Sequence, residues 1–423
     1  MYLNFAWRYF KAKKTTNAIN IISWITTAVI AFSTMCQILV LSVFNGFEDL
    51  VKSLYANFYT DLRIIPASGK TIFLNTAQIQ NIKNTSGVKD VSLVVEEKAL
   101  LQNGELQTVV FLKGVDTNYT KVSGVGDRIL RGKYDVGTAD KPLLILGVGI
   151  ENAVGVEADK SLMPLTLFLP KRMNEQQFNG DPGKSVATKP PLQSLDIESS
   201  ITEGNAYTSG TFAIQQDFDN KYVITNLGFI KQQMAYQDNE YSAAEIKVLK
   251  ESYNNNIIES LQKKLGNKYI IQTRYQQNST LYNSMELEKW AVFAILTLIL
   301  IIAAFNMVSA LTMLVLEKEK DIAVLQAMGA DSGLILKIFL TEGLILAGIG
   351  SAVGIIIALI ISIVQIKFKL IKLQGSSFLI DYFPIKFVVT DFLFVTVTAF
   401  IIAVIASWFP AKKASIQHFS LRN

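Results

Sequence analysis

Few side chains in this sequence are of a type that could do chemistry alone. One cysteine, Cys36, and one histidine, His418, stand in 423 residues. A structural zinc site needs four Cys or His ligands, and a Ser–His–Asp triad needs a histidine within reach of its serine. Cys36 lies inside an apolar run, where a small buried thiol is expected, and a lone cysteine forms no intrachain disulfide. Gly183-Lys184-Ser185 has the ending of a phosphate-binding loop. Such a loop also requires a glycine five positions earlier, where this chain has Phe178. The acid pair Glu96–Glu97 sits in a polar stretch and is expected to be solvated. Glu342 is an acid well inside an apolar stretch, a functional candidate by default. With no further acid or histidine to continue a proton path, the simpler expectation is an interfacial carboxylate paired with Lys337. No catalysis by the chain alone and no metal site are expected.

The sharpest concentration of charge is EKEKDIAVLQAMGA, residues 317–330, whose first five residues are all charged. Ile322, Leu325 and Met328 recur every three residues, with Ala323 and Ala327 alongside, so the stretch predicts a short amphipathic helix. Gly329 is placed to cap its C-terminus. A stiff, half-apolar helix suits docking into a groove on a partner; lying on lipid is the other role open to it.

The elements that must position this helix are apolar and long. Ile19–Phe44, Trp290–Leu316, Leu334–Ile366 and Phe387–Phe409 are each of a length and composition to cross a bilayer. The charged helix joins the second to the third. Arg8, Lys11, Lys13 and Lys14 precede the first and place the N-terminus in the cytoplasm. Four spans then return the C-terminus to the same side, with Lys412, Lys413 and Arg422. The charged helix is cytoplasmic on this reading, and residues 45–288 lie outside. Four lysines run against the same rule: Lys367, Lys369, Lys372 and Lys386 occupy the short loop 367–386, which is then external. The first apolar run is too long for a signal peptide and lacks a cleavage pattern, so it predicts an uncleaved anchor. Tyr2–Phe10 is aromatic and predicts either an interfacial helix or the first turn of the first span. Gly350 and Gly354 in the third span share one helix face and allow a close neighbour, for which Ala303, Ala304, Ser309 and Ala310 of the second span offer a thin surface.

Between the first two spans the pattern changes to that of a folded α+β domain. Residues 61–66, 88–95, 106–116, 143–147, 165–170 and 221–227 read as strands, and Asn75–Lys83, Leu227–Met234 and Asn255–Leu265 as helices. Residues 171–210 are polar and rich in Gly, Pro and Ser, and read as a long loop. The net charge of +5 is small for this length and the basic residues form no stripe, so nucleic-acid binding finds no support. The segments thus run 1–18 N-terminal, 19–44 first span, 45–288 inserted domain, 289–316 second span, 317–332 charged helix, 333–366 third span, 367–386 loop, 387–409 fourth span and 410–423 tail.

RYFKAKKTTNAINIISWIT (8–26), LSVFNGFEDLV (41–51), residues 285–330 and FPAKKAS (409–415) together resemble the lipoprotein-releasing permeases of the Lol system. These belong to the superfamily of cell-division and macrolide-exporter ABC permeases. The resemblance implies a membrane permease subunit working with a separate dimeric ATPase in the cytoplasm, which holds the ATP and Mg, so that this chain binds no cofactor. It further implies a second permease, the same chain or a paralogue, and a periplasmic carrier that receives lipoproteins lifted from the inner membrane. Exposing three acyl chains to water costs on the order of 30 kcal/mol, which accounts for the need for ATP. In such a permease Glu317, Lys318, Asp321, Ile322, Leu325, Met328 and Gly329 would contact the ATPase. Val40, Val43, Phe44 and Phe47 would line the lipoprotein gateway. Asn45 and Gly46 would be the joint, or hinge, to the periplasmic domain. Export of another cargo, or signal transduction without transport, are the other activities found on this architecture.

Overall fold

The computed structural model describes residues 17–170, 201–249, 255–373 and 382–416, and the chain divides into two compact units. The polar segment 171–200, the N-terminal 1–16 and the tail from 417 lie outside the described residues. One unit contains the four long apolar helices and the other the inserted domain.

The first long helix, α1, spans Asn17–Phe58. It passes Phe44 without a break because nothing from Asn45 to Phe58 is a proline and the only glycine, Gly46, is held by packing. In the inserted domain the strands are β1 (Leu62–Pro66), β2 (Ile72–Phe73), β3 (Val88–Asn103), β4 (Leu106–Val115), β5 (Ile129–Gly132), β6 (Leu143–Gly147), β7 (Leu165–Pro170), β8 (Ile201–Phe212), β9 (Tyr222–Asn226), β10 (Glu240–Tyr241), β11 (Ala243–Val248) and β12 (Tyr269–Thr273). Its longer helices are α2 (Thr76–Lys83), α3 (Leu227–Gln233) and α4 (Asn255–Leu265). Asn75 caps α2 through a capping box with Gln78. Residues 201–210, expected in a loop, belong to β8. The alternation there is masked because Gly204, Asn205, Ser209 and Gly210 leave few apolar side chains to read.

β3 is the strand on which the domain is organised. Its first half pairs antiparallel with β11, and β11 and β12 flank β1. This sheet carries α2 and α4 over a core that includes Leu62, Ile64, Ile82, Ile246 and Leu261. The second half of β3 pairs with β4 on one side and β7 on the other. β4, β9, β6 and β8 continue the path, and β7 pairs with β8 as well as β3. Those six strands close a ring around Val95, Leu101, Val110, Leu112, Leu144, Leu167 and Val223. Closure removes the exposed edges of an open sheet.

Between these two parts lies a cluster of paired charges. Glu96 and Lys113 face each other across the β3–β4 ladder, and Arg63 and Glu245 across β1–β11. Arg63 Nη2 donates to Glu96 at 2.9 Å and Lys113 Nζ to Glu245 at 2.7 Å. Tyr222 donates its hydroxyl to Glu96, and Lys113 sits over the Phe58 ring at 4.8 Å. Glu96 is therefore not solvated as expected; it and Glu97 point to opposite faces of β3. Burial acts to raise its pKa, and Arg63 and Lys113 beside it reverse that and hold it below the usual value. The sign follows: its stabilisation is present above the ordinary carboxylate range and is lost as the pH falls through the depressed value. Lys113→Met leaves Glu245 buried without its main partner and should destabilise the domain by about 3–5 kcal/mol. The Lys113→Met/Glu245→Met pair should cost less, which thermal unfolding of the full chain would measure.

The second unit is built from the first part of α1 with α5 (Ser279–Glu317), α6 (Glu319–Ala327), α7 (Ser332–Phe368) and α8 (Val389–Ile416). Large apolar side chains cover its outside: Phe32, Ile295, Leu298, Phe305, Ile356 and Ile363 are all exposed. A water-soluble bundle would bury these; a bundle in lipid does not need to. Small residues fill the inside. A Cβ on Gly350 would strike Ile30 and the Thr27 carbonyl, and one on Gly354 the Ala31 carbonyl. The close neighbour of the glycine face is thus α1 and not the alanine surface of α5. Ala303, Ala304 and Ala310 are buried elsewhere in the bundle, and Ser309 is exposed. Gly354→Leu should drive α1 and α7 apart and lower the yield of folded protein in the membrane, read by detergent-resistant monomer on gel filtration.

Candidate functional site

The candidate site has two parts, one at each end of the helical unit. At the first end, α5 stops at Glu317 and Lys318 breaks the helix with a ψ near zero before α6 begins. Lys318 Nζ pairs with Asp321 at 3.0 Å across three positions. At the far end of α6 Gly329 takes a left-handed φ of 89°, which a side chain would oppose. The Ala330 amide then donates to the Leu325 carbonyl at 2.9 Å, closing the helix end as the sequence predicts. Asp331 caps α7 at once through Leu334. So α6 is held between α5 and α7 by two tight turns with no slack in either.

The apolar side chains of α6 divide between two faces. Ile322 and Ala323 are buried, and Ile322 joins the bundle core with Leu314, Val315 and Ile335. Leu325 is half-buried, while Met328 is 79% exposed and Val324 48%. Ile322 therefore does not face outward as the single stripe implied; it fastens α6 to its own subunit. The outward apolar surface is Val324, Ala327 and Met328, three and four apart, ringed by Glu319, Lys320 and Asp321. Val324 was hidden in sequence because a nine-residue helix with apolar residues on both faces has no single stripe.

At the opposite end α1 meets the starts of α5 and α8. Asn45 is buried and its Nδ2 donates to Asp391 at 2.6 Å. Lys289 Nζ donates to Asn45 Oδ1 at 2.9 Å and lies 3.1 Å from Asp391. Three helices are tied by one buried amide and one ion pair. Gly46 lets the segment 382–388 cross α1, since a Cβ would overlap the Pro384 carbonyl. The crossing is fixed by an ion pair from Lys386 to Asp49 and by the Lys386 amide donating to the Ser42 carbonyl at 3.0 Å. Asn45 and Gly46 thus form a clamped crossing inside a continuous helix. Lys289, Asp391, Lys386 and Asp49 were not anticipated; Asp391, an acid within the fourth apolar segment itself, was the available signal.

Val40, Val43, Phe44 and Phe47 follow the spacing of one helix face next to this clamp. Val40 is exposed, Val43 and Phe44 are half-buried, and Phe47 packs edge-on against Phe383. Glu342 is buried at 1% whereas Lys337 is exposed. Among the described residues no cluster of three His, Cys, Asp or Glu is placed to hold a metal ion.

Residues 293–419, which hold α6 and most of the helical unit, match the family model described as FtsX-like permease C-terminal. The chain is 24% identical to a protein named lipoprotein-releasing system transmembrane protein LolC from Neisseria meningitidis serogroup B, over 96% of this chain and 95% of that one. It is 24% identical to the transmembrane protein LolE of the same system from Haemophilus influenzae, over 97% and 96%. Among solved structures, the periplasmic region of MacB from Actinobacillus actinomycetemcomitans aligns with 54% of this chain and 95% of its own, at 12% identity and a TM-score of 0.34. The matched domain and the four apolar helices mark a membrane protein of permease type.

Proposed function

We propose, from the premise that this chain carries an FtsX-like permease domain at 293–419, that it is the membrane subunit of a lipoprotein-releasing ABC transporter. The observation that carries the reading is the likeness to LolC and LolE over nearly the full length of all three chains. The chain acts as a transmitter and a passage, and ATP with its Mg is bound and hydrolysed by a separate cytoplasmic dimer. A second permease, the same chain or a paralogue, completes the membrane part. The complex sits in the inner membrane with both termini of this chain in the cytoplasm and the inserted domain in the periplasm.

The geometry gives this reading a physical course. The ATPase grips α6 by Val324, Leu325 and Met328, with Glu317, Lys318 and Asp321 at the rim. Because Ile322 is set in the bundle core and both ends of α6 are tightly turned, a push on α6 moves α5 and α7 instead of bending a loop. α5 continues to the Asn45–Lys289–Asp391 clamp, which ties it to α1 and α8. The clamp sets the position of α1, whose Val40–Phe47 face opens toward lipid and admits the acyl chains. The lipoprotein is handed to a soluble periplasmic carrier, which spares the acyl chains the cost of meeting water.

The test is transfer. The chain with its ATPase is placed in nanodiscs with a triacylated lipoprotein, and a soluble carrier is added with ATP. Lipoprotein recovered on the carrier is the expected result. Hydrolysis with the lipoprotein left in the membrane would overturn the cargo and turn attention to export of another molecule or to signalling without transport.

A further inference from the structure

The loop after α7 carries the lysines that contradict the charge statistics of membrane topology, and their surroundings say what they do. Lys386 is engaged, through its ion pair with Asp49. Lys367, Lys369 and Lys372 have no carboxylate partner among the described residues. Between them stand Phe368, Leu370 and Ile371, which are 61%, 68% and 57% exposed. Three large apolar side chains interspersed with three cations that meet no carboxylate among the described residues, all outward, are poorly suited to water.

The loop is also held in this shape. Gln365 is buried at 3%, and its amide nitrogen donates to the Ile371 carbonyl at 2.9 Å while its oxygen accepts from the Ile371 amide at 2.9 Å. The Phe383 amide donates to the same Ile371 carbonyl at 3.2 Å. Lys369 turns the chain with a left-handed φ of 50° and sets its ammonium 4.0 Å above the Tyr382 ring. A buried glutamine that bonds both backbone groups of one residue fixes the direction of the whole turn. The cations and the apolar side chains are therefore presented together by the backbone.

The place of the loop limits its partner. The apolar run of α7 ends just before Lys367 and the next span starts just after Lys386, so the turn lies where hydrocarbon gives way to headgroups. A surface there that is apolar and cationic at once matches a molecule with acyl chains and a negative headgroup. Free phosphate would answer the lysines and leave Phe368, Leu370 and Ile371 in water.

We propose that Lys367, Lys369 and Lys372, with Phe368, Leu370 and Ile371, form a binding site for the phosphate of an anionic phospholipid. The lipid supplies a negative charge that these three lysines do not meet among the described residues. On the topology proposed above, this also explains three of the four lysines on the side of the membrane where lysines are scarce; the fourth, Lys386, is held by Asp49. The site is separate from lipoprotein transfer and does not depend on the identity of the cargo.

The full chain with its partner subunits is reconstituted in vesicles of dioleoylphosphatidylcholine containing about a fifth of dioleoylphosphatidylglycerol, then re-extracted in mild detergent. Retained lipid is counted by mass spectrometry. The native chain should retain phosphatidylglycerol well above its share in the vesicle. Each lysine near an anionic surface changes retention by about fivefold, so Lys367→Gln/Lys369→Gln/Lys372→Gln should return the ratio close to that of the vesicle. The same three positions as arginine should keep the enrichment, which separates lost charge from misfolding. Equal enrichment in the native and glutamine chains would overturn the site. Loss of a co-purifying subunit with an unchanged lipid ratio would overturn it too, and make the loop a protein contact.

Discussion

On the proposed function, aspartate at both Val324 and Met328 is expected to release the ATPase while the chain stays folded in the membrane. Both side chains already face outward, so the substitutions bury no charge within the chain. On the partner they place two carboxylates where an apolar groove is expected. Central anchors of an interface cost about 2 kcal/mol or more each when lost, so the pair should weaken association by more than about a hundredfold. Leu325→Asp should have the same direction with some loss of folded protein, because Leu325 is half-buried. Ile322→Asp makes the informative contrast. It puts a charge among Leu314, Val315 and Ile335 and should reduce the amount of folded chain before docking is ever tested. Breaking the Lys318–Asp321 pair should change little, as exposed ion pairs contribute well under about 1 kcal/mol. Affinity purification of the ATPase with each variant decides the matter; undiminished recovery with the double variant would refute docking at α6.

The second large effect is expected at the opposite end. Asp391→Leu leaves Lys289 with the Asn45 oxygen alone. Removing one partner of a buried ion pair costs about 3–5 kcal/mol, and less here, about 2–3 kcal/mol, because a quarter of the Lys289 side chain is exposed. What distinguishes a transport role from a purely structural one is the split between two activities. The variant should continue to hydrolyse ATP, since α6 and its docking face are untouched, while lipoprotein transferred per ATP falls at least about tenfold as α1 loses its fixed position. The charge-reversed pair Lys289→Asp/Asp391→Lys should recover part of the transfer, because the attraction survives the exchange. Parallel loss of hydrolysis and transfer would reduce the clamp to general stability.

The two experiments act at opposite ends of the helical unit, joined by α5, so they separate grip from delivery. An ATPase that binds and turns over without transfer points to the clamp; one that never binds points to α6. An exporter of another cargo would share both defects, which is why the transfer assay with a triacylated lipoprotein must accompany them.

Much of this molecule was legible in its residues. Four apolar runs, the charged helix between the second and third, the Gly329 cap and several strands of the inserted domain are local properties. They follow from hydropathy over one membrane thickness, from the period of a helix or strand, and from the backbone freedom of glycine. The helix Asn255–Leu265 appears where its amphipathic period places it. The resemblance to Lol permeases rests on the same local stretches.

Contacts between distant segments were decided only in three dimensions. The glycine face of α7 meets α1, although α5 offered an equally thin surface, because small residues announce a close approach without naming the neighbour. β7 closes the ring by pairing β3 and β8, and no strand pattern contains the identity of its partners. Glu96 is paired and Ile322 is turned inward for the same reason: periodicity separates the two faces of an element, and the fold chooses which one is covered. Asn45, Lys289 and Asp391 come from three helices far apart in the chain, and their hydrogen bonds exist only once the bundle has closed.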